Sequence, residues 1–181
     1  MTLLALPVGA ALAQQDDPWS HVMNMETAGF WAVMPERPRV QVVDVQGQAF
    51  AQAFRVRGRR GANPWDVQAN SPSGGDIHRG DTVMVMVFAR AEQAAEGGST
   101  MPMRLQLSGA PYSSVFDASF QLTDQWKQYC GSGVATQDFG DGVTNVSLQL
   151  ATGEQVIDLG PVFVFNFGQN FDSANLPHCP D

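Results

Sequence analysis

The chain has 181 residues, 44% of them hydrophobic, and a net charge of -8 from ten Lys and Arg against eighteen Asp and Glu. That length holds one ordinary domain with a sizeable core, and so apolar a composition excludes a disordered chain. The acidic balance makes nucleic acid a poor partner, and no apolar run after the first residues is long enough to span a bilayer.

Met1 to Ala13 reads MTLLALPVGAALA. Thr2 to Leu12 is uncharged and ends in the small-x-small pattern Ala11-Leu12-Ala13, the form of a signal-peptide core and cleavage site, although the positive n-region is absent. The expectation is export, with residues 1–13 a truncated signal peptide and 14–181 a single secreted or periplasmic domain. A wrongly chosen start and a buried N-terminal strand are the alternatives. Asp16 to Met34 has no clean period and reads as a short strand or irregular cover, ended by a turn at Pro35 to Pro38.

From there short runs alternate with Gly, Pro, Asn and Asp, the mark of a sandwich. Arg39 to Val45 and Phe50 to Arg57 read as strands, the latter with Phe54 and Val56 inward. Gly58 to Gly61 turns the chain, and Trp65 to Ala69 is a short strand able to expose an aromatic ring. After a loop from Ser71 to Asp81, Thr82 to Ala89 is apolar on both sides, as a strand covered on both faces would be. Glu92 to Thr100 is a polar loop or one helical turn. Met103 to Leu107 and Phe116 to Leu122 alternate, the second with Phe116, Ala118, Phe120 and Leu122 on its dry side. Trp126, before Cys130, reads as a core residue. Thr136 to Thr144 is a turn by composition. Val146 to Leu150 then closes a hairpin onto Val156 to Leu159, and Val162 to Phe167 finishes the sheet. The fold class is all-β: a sandwich of two antiparallel sheets with about eight to ten strands.

Chemistry is sparse. There is no G-x-S-x-G or H-E-x-x-H motif, and His21, His78 and His178 are far apart in the chain. No catalytic residue is assigned. Asp138 and Asp141 could hold a structural calcium ion, because hard oxygen ligands suit it, but their spacing is not that of an EF-hand, and a plain turn explains them as well. No other cofactor is expected. Arg79-Gly80-Asp81 spells an adhesion tripeptide yet reads more simply as a turn into a strand. Cys130 and Cys179 would form one bridge in an oxidising compartment and remain two thiols otherwise. Arg55, Arg57, Arg59 and Arg60 form a basic cluster, either a wet strand face or an anion patch. Planar rings stack on sugar faces while amides and carboxylates bond the hydroxyls. Trp65 with Asn63, Asp66 and Gln68 is such a mixture, and Tyr112 and Arg57 are added as candidate ligand-binding residues.

Several stretches resemble, in order, the galactose-binding-like jelly rolls of carbohydrate-binding modules of the family 4, 9, 16 and 22 type. They are Ala53-Phe-Arg-Val56, Gly80-Asp81 leading into Val83 to Phe88 and Ala89-Arg90, Phe120-Gln-Leu-Thr123, Trp126-x-x-Tyr129, and Leu148-Gln-Leu150 to Val156-Ile-Asp-Leu159. The resemblance covers about Phe50 to Phe167. It implies a jelly roll that binds a polysaccharide or oligosaccharide without catalysis, with Trp65 as a stacking platform and Trp126 and Tyr129 structural. The expectation is a module without a catalytic domain in these 181 residues, and the family's calcium ligands near the first strand find no clear match. Two other readings stay open: an envelope structural domain that binds a secreted or envelope protein, and a small polysaccharide lyase or glycoside hydrolase using Asp66, His78 or Arg57.

Overall fold

The alternation builds ten strands, and in a computed structural model that describes residues 17–35 and 40–179 they form two five-stranded antiparallel sheets. The first sheet has the order β1-β4-β9-β6-β7, made by Ala32–Met34 (β1), Gln68–Pro72 (β4), Thr144–Gln149 (β9), Ser99–Leu107 (β6) and Ser114–Leu122 (β7). The second has the order β2-β3-β10-β5-β8, made by Val40–Asp44 (β2), Gln52–Gly58 (β3), Gln155–Gln169 (β10), Asp81–Gln93 (β5) and Lys127–Val134 (β8). This is the expected jelly-roll sandwich. The leader read in residues 1–13, and most of the turn at Pro35 to Pro38, lie outside the described residues.

Period two decides which side chains meet between the sheets. Val83, Val85, Val87 and Ala89 of β5 share one buried cluster with Met101, Met103 and Leu105 of β6 and Val146 and Leu148 of β9. The opposite face of β5 is apolar too. Met84 and Met86 pack with Phe165 of β10 beneath Val22, Leu176 and the Cys130–Cys179 disulfide. That second cover explains why Thr82 to Ala89 lacks a polar face.

The chain before β1 supplies part of the cover. Its Met23 N–H donates to the Val164 carbonyl at 2.8 Å, and buried Asn24 donates to the Val162 carbonyl at 3.0 Å while accepting from the Val164 N–H at 2.8 Å. Of the two readings for Asp16 to Met34 both hold in part: this stretch is irregular cover pinned along the half of β10 that β3 does not pair with, and β1 is the short strand at its end.

Four local readings are corrected. The run after Leu150 is no hairpin: β9 and β10 belong to different sheets. Ala151 donates to the Pro64 carbonyl at 3.0 Å, so the chain is held at the sandwich edge before it crosses. Val156 to Leu159 and Val162 to Phe167 are one strand, β10, with a register shift between Leu159 and Val162. Pro64–Asp66 is a 3₁₀ turn, and its strand begins only at Gln68. Trp126 is half-buried on the outer face of the second sheet, edge-on to Phe50 and beneath the Arg90 guanidinium, 5.4 Å from the ring centroid.

Candidate functional site

Side chains that alternate with the core residues on the first sheet point away from the sandwich, and there they are almost all polar. Ala69 of β4, Val146 and Leu148 of β9, and Leu105 of β6 face the core. Gln68 and Asn70, then Asn145, Ser147 and Gln149, then Arg104 and Gln106 consequently face out. Register aligns them in rows. Asn70, Ser147, Arg104 and Asp117 lie opposite one another across β4, β9, β6 and β7, and Pro72, Asn145, Gln106 and Ser114 form the next row.

This outer face is unusual in its burial and its bonding. Gln106, Gln149 and Ser147 are only 6%, 7% and 0% exposed. Ser147 Oγ donates to Gln68 Oε1 at 2.8 Å. The side-chain oxygens of Asn70, Asn145 and Gln106 are buried, yet have no hydrogen-bond partner among the described residues. Buried polar groups are nearly always paired, and leaving one unpaired costs about 1–3 kcal/mol. Three such oxygens on one outer sheet face are acceptors left without a donor.

At the β7 edge, Arg104 Nε donates to Asp117 Oδ1, and Ser114 Oγ donates to Asp117 Oδ2 at 2.6 Å. Burial works against ionisation of Asp117, but these bonds outweigh it and lower its pKa.

The aromatic candidates flank this face. Trp65 is 53% exposed on the turn leading into β4, at the Gln68 end. Tyr112 is 51% exposed in the β6–β7 turn, past Gln106 and Ser114, on a left-handed backbone (φ 58°). Asn63 and Asp66 are held by each other: the Asn63 N–H donates to Asp66 Oδ2 at 3.0 Å, which, with lesser help from the Asn63 side chain, lowers the Asp66 pKa. A groove of about 400 Å³ runs between the Arg60 to Pro64 turn and Thr100, Ala151 and Thr152; Asn63 lines it, whereas Trp65, Asp66 and Gln68 do not.

Arg57 stands apart from these residues. It projects from β3 on the outer face of the other sheet, beside Arg55, which pairs there with Asp158. His78, exposed, lies 3.8 Å from Asp138 on the loop before β5, so the trio Asp66, His78 and Arg57 does not gather in one sheet cleft. Asp138 accepts the Arg79 N–H at 2.8 Å, and Asp141 is exposed. No cluster of three or more His, Cys, Asp or Glu side chains able to hold a metal occurs among the described residues. The Asp81 carboxylate of Arg79-Gly80-Asp81 is buried and accepts from the His78 N–H and Asn166 Nδ2, which removes it as an adhesion determinant. His21 and His178 line one groove of about 790 Å³, together with Phe167 of β10 and Phe171 just after it.

Sequence reasoning missed Asn70, Asn145, Ser147, Gln149, Gln106 and Arg104. Their only local signal is being the wet half of an alternation, which every half-exposed strand has. The order of the strands is what makes them neighbours.

Solved structures with this architecture are known. A CBM4 structure is 20% identical with a TM-score of 0.59, covering 75% of this chain and 94% of that one. The likeness is one of fold. The N-terminal cellulose-binding domain of a Cellulomonas fimi β-1,4-glucanase is 19% identical, TM-score 0.54, with 75% of this chain and 88% of that one covered. A Clostridium thermocellum xylanase structure holding CBM22-1 and GH10 modules with xylohexaose is 14% identical, TM-score 0.56, with 85% of this chain but 29% of that longer one covered. No family model matches the sequence, and no curated protein does. The chain thus has the jelly-roll fold of carbohydrate-binding modules at low identity.

Proposed function

We propose that this protein binds a polysaccharide or oligosaccharide non-covalently, outside the cytoplasm, on the outer face of the β1-β4-β9-β6-β7 sheet. One observation carries the reading: the buried, unpartnered side-chain oxygens of Asn70, Asn145 and Gln106 on that face. A polyol supplies the donors they lack, and the amide nitrogens and Arg104 supply donors for its oxygens. From Gln68 to Pro72 the strand spans roughly 13 Å, more than one pyranose ring covers. Trp65 beyond one end and Tyr112 beyond the other are suited to stack on a longer oligosaccharide. The solved structures of cellulose-binding and xylohexaose-bound modules support the same reading. The Cys130–Cys179 bridge agrees with an oxidising compartment.

Calorimetry against a glycan panel, comparing wild type with Trp65→Ala, tests this. Binding weakened by the substitution supports both the function and the platform. Binding unchanged by it keeps the face and removes Trp65. Absence of binding to every glycan at millimolar ligand refutes the function.

A further inference from the structure

We propose that Asp117 sets the charge preference of this face by occupying Arg104, so that the pair selects neutral over acidic glycans. This rests on the glycan-binding reading of the face. Arg104 is the only basic side chain, and Asp117 the only acidic one, at the described outward positions of the five strands. They lie opposite each other in the row that runs from Asn70 through Ser147.

The pair is asymmetric. The Arg104 side chain is 27% exposed and that of Asp117 is 59% exposed. The cation is partly withdrawn among the amides, while the anion stands at the edge. Both carboxylate oxygens are engaged, Oδ1 by Arg104 Nε and Oδ2 by Ser114 Oγ. A uronate approaching Arg104 meets that carboxylate first, on a chain whose net charge is already -8, and like charges repel. Neutral hydroxyls meet no such barrier. Without Asp117, Arg104 becomes a half-buried guanidinium with a planar fork of donors, the geometry that takes a carboxylate through two bonds. A partly exposed ion pair contributes little to stability, so the substitution is expected to leave the fold intact.

The test uses the whole protein and two probe sets: neutral cello-, xylo-, laminari- and β-1,4-galacto-oligosaccharides, and acidic oligogalacturonates and oligoglucuronates. Wild type, Asp117→Asn, Asp117→Ser and the double variant Arg104→Gln/Asp117→Asn are titrated at low and high salt. In both single variants the ratio of acidic to neutral affinity should rise by about tenfold or more. The gain should shrink with salt and vanish in the double variant. A ratio within about threefold of wild type, with neutral glycans still bound, overturns the proposal alone. So does a gain that survives loss of Arg104. No binding of any glycan to any of the proteins overturns the reading of the face and the proposal with it.

Discussion

Arg55 grips the carboxylate of Asp158 through two hydrogen bonds across the β3–β10 pair, Nε to Oδ1 at 2.7 Å and Nη2 to Oδ2 at 2.9 Å. Arg90 of β5 adds a third, to Oδ2 at 2.9 Å, and Asp158 is completely buried. One carboxylate thus joins three adjacent strands of the second sheet. Its hydrogen bond is the main cause of the raised Arg55 pKa. Glu92 also pairs with both guanidiniums, at 3.1 Å to Arg55 and 2.6 Å to Arg90, so each keeps a partner without Asp158, and Asp158→Ala should lose about 1.5–3 kcal/mol, the worth of hydrogen bonds to a charged group. Urea unfolding measures this as a lowered midpoint; a midpoint unchanged from wild type would show that the clamp is ornamental.

This clamp shows how far the sequence was legible. In the sequence the basic cluster at Arg55 and Arg57 fits either a solvated face or an anion patch. Arg55 is neither, because its partner lies about a hundred residues away and only the β3–β10 register brings Asp158 to it. The fold class was legible because Phe116, Ala118, Phe120 and Leu122, or Val146 and Leu148, state their period locally. The change of sheet after Leu150 was not, since a strand that turns back and one that crosses over share the same alternation. The candidate face was hidden for the same reason: Asn70, Asn145 and Gln106 come from three separate strands and meet only through strand order.

Close packing between the sheets depends on two glycines of β8. A Cβ on Gly131 would lie 2.7 Å from Phe116 Cε2, and one on Gly133 would lie 2.7 Å from Phe116 Cβ. Overpacking of this kind typically costs about 1–3 kcal/mol. Gly133→Ala should be the harsher change, because Phe116 Cβ cannot swing aside as a ring edge can. Thermal melts of the two variants should rank them in that order; equal, wild-type melting would contradict the packing.

The Cys130–Cys179 bridge ties the C-terminal tail to β8, closing a separation of 49 residues. Free-thiol titration of the unfolded, unreduced protein should find no thiols. Replacing both cysteines with serine should cost about 2–4 kcal/mol. It should also raise binding of a hydrophobic dye, because Leu176 packs against the cluster of Met84, Met86 and Phe165. Wild-type dye binding in that variant would mean that the tail stays docked without the bridge.

Acid should weaken the protein in part through Asp117. Burial opposes its ionisation, but bonds from Ser114 and Arg104 prevail and hold its carboxyl below the ordinary 3.8. A lowered folded-state pKa adds stability that is fully present above the unfolded value and is lost as pH falls through the folded one. The stability gap between wild type and Asp117→Asn should therefore be open near neutral pH and close as pH drops below 3.8. A gap constant across that range would remove the assigned bonds.

The most direct measurement of the central claim is calorimetric titration of neutral oligosaccharides into the wild type and into a Gln106→Ala/Asn145→Ala variant shown by circular dichroism to be folded. Each hydrogen bond to a sugar nets about 0.5–1.5 kcal/mol, so losing two should weaken binding by roughly tenfold or more. Modest wild-type affinity that falls by that factor is the predicted result. Wild-type binding that the double variant retains in full, or no binding of any neutral oligosaccharide at millimolar concentration, would contradict it.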